Sequence, residues 1–329
     1  MSALLRALAF LTVCAVLAGA APHWRWPSLP RGVAPPPVPA DNPMSAAKVA
    51  LGRRLFYEAD LSINGTMSCG TCHAQKHGFA DDNRTRPGAL DDAGRRNVPG
   101  LANVGWLPAL TFADPGLTTL EAQVAVPLFG EHPVEMGMKG KDAELVRRLA
   151  RDACYVRMFR KAFPETRGEI TTAAVAKALG AFQRTMIAFD TPWDRARRGK
   201  APLPEAAARG EHLFQTQGCA NCHAGSNFTD GGYHRLLPAH DDRGLGETTG
   251  SAEDDGRFRT PSLRNVALTA PYLHDGRAAT LEDAVAAHNP SITAAHMHDI
   301  AAFLNALTDQ GFVTDPQFAL PESACGKRL

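Results

Sequence analysis

Gly52-Arg-Arg-Leu-Phe56, followed by Cys69-Gly-Thr-Cys72-His73, and Gly210-Glu-His-Leu-Phe214, followed by Cys219-Ala-Asn-Cys222-His223, are two copies of one pattern. In each, a Gly-x-x-Leu-Phe segment runs into a Cys-x-x-Cys-His pentapeptide. Recurrence of such a unit reads as an internal duplication, with a helix leading into each pentapeptide. Glycine at the same point of both helices removes the Cβ and lets another helix cross closely.

The pentapeptide fits one chemistry. Two thiols three residues apart reach the two vinyl groups of one porphyrin, and the adjacent histidine turns its imidazole onto the iron. Zinc would require further ligands at regular spacing, which the sequence lacks. The expected cofactors are therefore two covalently bound haem c groups, one on Cys69, Cys72 and His73 and one on Cys219, Cys222 and His223.

Working outward, helical periodicity starts near Ser45 and places Val49, Gly52, Leu55 and Phe56 on one face. Helical stripes recur from Thr171 to Phe189 and from Ile292 to Leu307, separated by long loops rich in Gly, Pro and Asp. Alternating strand patterns are scarce. The fold expected is mostly α: two cytochrome c-like haem domains packed around a shared interface, with long loops. The N-terminal haem domain is placed at 45–190 and the C-terminal one at 191–329, with a basic, proline-bearing linker near Thr191–Pro204. Residues 22–44, rich in proline and tryptophan, read as an extended arm.

Residues 1–21 read as a cleaved export signal. Arg6 precedes an apolar run from Ala7 to Leu17, and small residues follow. No stretch is long enough for a stable membrane span, and the location expected is periplasmic. The 329 residues carry a formal net charge of +1, which gives no sign of a nucleic-acid surface. Of the seven cysteines, Cys14 leaves with the signal. Cys154 and Cys325 remain, either paired in an oxidising compartment or two separate buried thiols.

Beyond these patterns the chain resembles the bacterial di-haem cytochrome c peroxidase and MauG superfamily over nearly the whole mature length. The resemblance is carried by Leu51-Gly-Arg-Arg-Leu-Phe56, Gly94-Arg-Arg-Asn97-Val-Pro99, Leu120-Glu-Ala-Gln123, Pro133-Val-Glu135-Met136, Phe258-Arg-Thr-Pro-Ser-Leu-Arg-Asn-Val266 and, most specifically, Thr269-Ala-Pro271-Tyr-Leu-His274-Asp-Gly276. Val38-Pro-Ala-Asp-Asn-Pro-Met-Ser-Ala-Ala-Lys48, Pro127-Leu-Phe-Gly-Glu-His-Pro-Val-Glu135 and Leu307-Thr-Asp-Gln-Gly-Phe-Val-Thr-Asp-Pro316 look closest to the MbnH-like branch.

The resemblance implies roles. The His73 haem reacts with hydrogen peroxide and reaches a high-valent state. Glu135 and Gln123 are its catalytic distal residues, with Glu135 moving a proton between the peroxide oxygens. His288 is the sixth ligand of the second haem, Met297 being the alternative. Asn97, Thr269 and Pro271 match a calcium position between the haems, where side-chain and backbone oxygens suit a hard cation. Phe112 stands where the family often has a bridging tryptophan, which leaves Trp106 as an electron relay or a core aromatic. The loop from Ala74 to Arg95 contains only His77, near the proximal ligand. The activity implied is a peroxide-dependent oxidase that acts on a protein substrate by long-range electron transfer, with tryptophan oxidation to kynurenine in a copper-binding partner as the branch's version. The alternative is a peroxidase fed by a small electron-donor cytochrome.

Overall fold

The structure is a computed structural model and describes residues 24–236 and 241–328. The expected export signal lies outside the described residues. The first half contains α1 (Ala46–Phe56), α2 (Cys69–Cys72), α3 (Leu120–Gln123), α4 (Ala125–Phe129), α5 (Asp142–Arg151), α6 (Ala153–Ala162) and α7 (Thr172–Gln183). The second contains α8 (Pro192–Arg197), α9 (Glu205–Thr216), α10 (Leu245–Thr249), α11 (Leu281–His288), α12 (Ala294–Asn305) and α13 (Gln310–Thr314). Among the described residues, strands form two short antiparallel ladders: β1 (Tyr233–Arg235) with β2 (Arg257–Arg259), and β3 (Ser323–Ala324) with β4 (Lys327–Arg328).

The sequence duplication is a structural duplication. In the first half α1 crosses α7, and in the second α9 crosses α12. A Cβ on Gly52 would lie 1.9 Å from the Ala178 carbonyl oxygen; one on Gly210 would lie 1.8 Å from that of Asp299. Only glycine permits either crossing. The phenylalanine ending each Gly-x-x-Leu-Phe word packs on the partner helix: Phe56 on Phe182 at 5.5 Å and Phe214 on Phe303 at 5.1 Å between ring centroids. Phe56 and Phe303 are fully buried, each contributing roughly 2–3 kcal/mol relative to exposure.

Side-chain caps set the helix starts. Ser45 accepts from the Lys48 N–H, Thr171 from Ala174 and Thr293 from His296. The ends fall short of the apolar stripes. α7 stops at Gln183 because the next residues bond elsewhere: Asn103 N–H donates to the Met186 carbonyl, and the Asn103 amide exchanges two bonds with Ala188. α12 stops at Asn305 for the equivalent reason. Asn265 N–H donates to the Leu307 carbonyl, and its side-chain oxygen accepts from Asp309 N–H. Part of the expected linker, Pro192–Arg197, is helical and is closed by a Thr191–Asp194 capping box.

Each half has its own apolar core. The chain after Asp309 crosses back to the first: Phe312 and Phe318 pack on Phe79, and Tyr57 donates to the Phe318 carbonyl. Cys154 and Cys325 form a disulfide that fixes this tail to α6, which settles the pairing left open by the sequence. The arm is irregular and tied down, with Trp106 Nε1 donating to the Ala34 carbonyl and Asn42 Nδ2 to Glu121.

Candidate haem sites

Both Cys-x-x-Cys-His segments end in the same cradle. His73 Nδ1 lies 2.7 Å from the Phe79 carbonyl oxygen and His223 Nδ1 lies 3.1 Å from that of Phe228. Phe79 and Phe228 both adopt positive φ, which turns their carbonyls onto the imidazoles. The Pro99 and Pro261 backbones lie near the respective imidazoles. An imidazole held through Nδ1 presents Nε2 as the free ligand atom, as a proximal iron ligand requires. Burial holds His73 below the ordinary histidine range and brings His223 down to about 4, keeping each ring in the neutral form that binds metal. Burial also pushes the Cys69 and Cys72 thiols up to about 12.

Beside His223 opens a cavity of about 420 Å³, lined by Cys219, Cys222, Tyr272, Leu281 and His288 from the second half and by Asn97, Leu107 and Phe112 from the first. This is the size and mixed apolar character of a cofactor site. His288 occupies the last position of α11, and its Nδ1 lies 2.7 Å from the Ala284 carbonyl, again leaving Nε2 free. The His223 and His288 ring centroids are 6.2 Å apart. Two metal–imidazole bonds of about 2.0 Å each, added to the ring radii, account for a separation of that size. The thiols, held imidazoles and cavity therefore fit a porphyrin iron between these two histidines. Met297, on α12, is not part of the cavity wall.

At the first cradle Glu135 comes close enough for its charge to act on both Cys69 and Cys72. Its carboxylate has no hydrogen bond or ion pair among the described residues, and burial alone raises it above the ordinary glutamate range. Two neighbouring segments hold it: Ala89 N–H donates to the Glu135 carbonyl, and Met136 N–H donates to that of Pro127 in α4. Gln123 ends α3, immediately before α4. That helix is anchored by Glu121, which accepts from Arg184 at 2.8 Å and from Asn42 at 2.6 Å. His77 Nε2 is 3.4 Å from Asp82, and the residue lines a second cleft with Lys76, Ala267 and Pro271.

Asn97, Thr269 and Pro271 all line the large cavity. The Asn97 Nδ2 group donates to the Asn83 and Arg84 carbonyls, so its oxygen is turned away from them. Trp106 is not on the cavity wall. It packs edge-on against Phe189 at 5.5 Å, while Leu107 and Phe112 face the cavity.

The sequence reading missed a second repeated word. Pro99-Gly-Leu-Ala-Asn-Val104 and Pro261-Ser-Leu-Arg-Asn-Val266 share Pro-x-Leu-x-Asn-Val, and each runs from the proline beside the imidazole to the asparagine that redirects the chain after α7 or α12. Comparing the two halves position by position would have found it. The missed neighbour of the second cradle is Trp193, whose ring meets Phe228 at 5.0 Å. Buried Arg264 lies over both rings and is bonded to Asp194 at 2.6 Å.

Two like cradles, each with its own crossing helices and core, define a helical two-centre protein of the c-type haem class. Residues 46–202 match the family model described as di-haem cytochrome c peroxidase. The chain is 34% identical to the methylamine utilization protein MauG of Methylophilus methylotrophus, over 73% of this chain and 71% of that protein. It is 33% identical to the cytochrome-c peroxidase IdrP1 of Denitromonas iodatirespirans, over 92% of each. The crystal structure of a MauG-like protein associated with microbial copper homeostasis superposes with a TM-score of 0.86 at 38% identity, covering 91% of this chain and 99% of that one. The chain belongs to the di-haem cytochrome c peroxidase and MauG family of oxidoreductases.

Proposed function

We propose that this enzyme uses hydrogen peroxide at a haem held by Cys69, Cys72 and His73, and oxidises a partner protein by electron transfer through a second haem held by Cys219, Cys222, His223 and His288. The observation that carries this reading is the asymmetry of the two cradles. His223 faces a second held histidine, His288, whereas the group brought up to the first cradle is the half-buried carboxylate of Glu135, which has no hydrogen bond or ion pair among the described residues.

Bound haem supplies the iron that peroxide oxidises. Glu135 takes the proton from the near peroxide oxygen and returns it to the leaving one, a role to which its desolvation and lack of partners suit it by raising its proton affinity. Gln123, held through Glu121 and Arg184, orients the bound peroxide. A second histidine on the other iron favours a low potential. Calcium, on Asn97, Thr269 and Pro271, belongs to the same reading, as does Trp106 as an auxiliary relay.

Similarity to a protein associated with copper homeostasis supports a copper-binding partner, with a tryptophan converted to kynurenine as the reaction. The similarity to named cytochrome-c peroxidases supports the second reading, a peroxidase that draws electrons from a small cytochrome. A periplasmic location follows from residues 1–21 and agrees with the Cys154–Cys325 disulfide, which needs an oxidising compartment. No helix among the described residues is long and apolar enough to cross a membrane.

Electron paramagnetic resonance of the purified ferric protein, followed by stoichiometric peroxide without prior reduction, tests the proposal. One high-spin and one low-spin signal, both lost on peroxide addition, are expected. Two low-spin signals indifferent to peroxide would overturn it.

A further inference from the structure

The proximal side of the second cradle connects to the protein surface through an oxidisable side chain. Trp193, half-buried at the start of α8, packs edge-on against Phe228 at 5.0 Å, and the Phe228 carbonyl is the group that holds His223 Nδ1. The Trp193 Nε1–H donates to Glu211 at 2.7 Å. Two guanidiniums lie over the indole, Arg197 at 5.3 Å and Arg264 at 5.5 Å from its centroid. Arg197 is also paired with Glu211.

From this arrangement we infer that Trp193 is the relay residue through which electrons enter the second haem from a donor outside the protein. The inference rests on the function proposed above. Of the aromatic side chains around His223, Phe214, Phe228 and Phe303 are too hard to oxidise and are buried in the core. Trp193 is oxidisable, touches the cradle and reaches solvent.

The charges around the ring decide how it works. The Nε1–H already has a carboxylate acceptor at 2.7 Å, and each guanidinium over the ring is ion-paired to a carboxylate, so no uncompensated negative charge holds a cationic radical in place. Loss of one electron to the peroxide-oxidised haem centre is therefore accompanied by transfer of the indole N–H proton along the existing hydrogen bond to Glu211. The result is a neutral radical beside a protonated carboxyl group. One electron from the external donor then restores the indole, and the proton returns to Nε1. Each passage moves one electron from donor to haem centre, and two passages, with two protons taken up from solvent, balance the reduction of one hydrogen peroxide to two water molecules.

The test uses the two-haem holoprotein with excess hydrogen peroxide and no added donor. Tryptophan oxygen adducts are expected at Trp193 in peptide maps. A radical signal that narrows when the tryptophans are ring-deuterated is also expected, reduced at least tenfold in Trp193→Phe. Phenylalanine keeps the contact with Phe228, so the low-spin haem signal of the variant checks that the cradle is intact. Glu211→Gln, which cannot take the proton, should slow radical formation about tenfold or more. Absence of adducts at Trp193 in the wild-type protein overturns the inference whatever the variants do, and so does a radical that persists in Trp193→Phe. If the haem signals respond to peroxide while Trp193 stays unmodified, only the relay fails. If they do not respond, the proposed function fails and the relay with it.

Discussion

Glu135 owes its chemistry to what surrounds it. It is desolvated without being paired, so its carboxyl group is raised above the ordinary glutamate range. In the proposed step its ionised form accepts the first proton. The rate of the peroxide reaction should therefore rise with pH through a limb lying above the ordinary glutamate range. Glu135→Gln should lack that limb and react about a hundredfold or more slowly, as stopped-flow spectra would record. His288 makes the complementary prediction. His288→Ala should convert the low-spin signal of the second haem to high-spin, while Met297→Ala should leave it unchanged. A low-spin signal surviving in His288→Ala would remove His288 as the ligand.

Within the helices, two glycines and two asparagines set the architecture. Gly52 and Gly210 let α1 and α9 touch the backbones of α7 and α12, where a methyl group would meet a carbonyl oxygen at under 2 Å. Gly52→Ala and Gly210→Ala should each cost about 3 kcal/mol, measured as a shift of the urea midpoint, because neither contact can yield without moving a helix. These crossings were legible in the sequence: spacing within one helix is a local property, and the same glycine appears in both copies. The helix ends were less legible. The apolar stripes run on to Phe189 and Leu307, yet the chain leaves the helix earlier because Asn103 and Asn265 offer competing long-range hydrogen bonds. Periodicity reports which residues are buried; it does not report which partner their backbone bonds.

For the molecule as a whole, the tail is a clasp. Phe312 and Phe318 pack on Phe79, the residue whose carbonyl holds His73, and the Cys154–Cys325 disulfide closes the tail on α6 across a sequence separation of 171 residues. Constraining so long a loop restricts the unfolded chain and should stabilise the protein by roughly 2–5 kcal/mol. Cys154→Ser with Cys325→Ser should lower the denaturation midpoint accordingly and expose residues beyond Asp309 to limited proteolysis. An unchanged midpoint would show that the tail is held by its phenylalanines alone. The last segment of the chain belongs to the core of the first half. The large cavity takes wall residues from both halves.

The two Cys-x-x-Cys-His segments, the helices leading into them, their close-crossing glycines and the mostly helical class follow from the sequence alone. Each is encoded by residues a few positions apart, where covalent geometry and helical periodicity act directly. Which histidine faces His223, whether Cys154 finds Cys325, where the tail docks and how Trp193 meets Phe228 were decided only by the tertiary structure. Those contacts join residues tens to hundreds of positions apart, and their pairing depends on how the two packed cores and the loops between them settle in space.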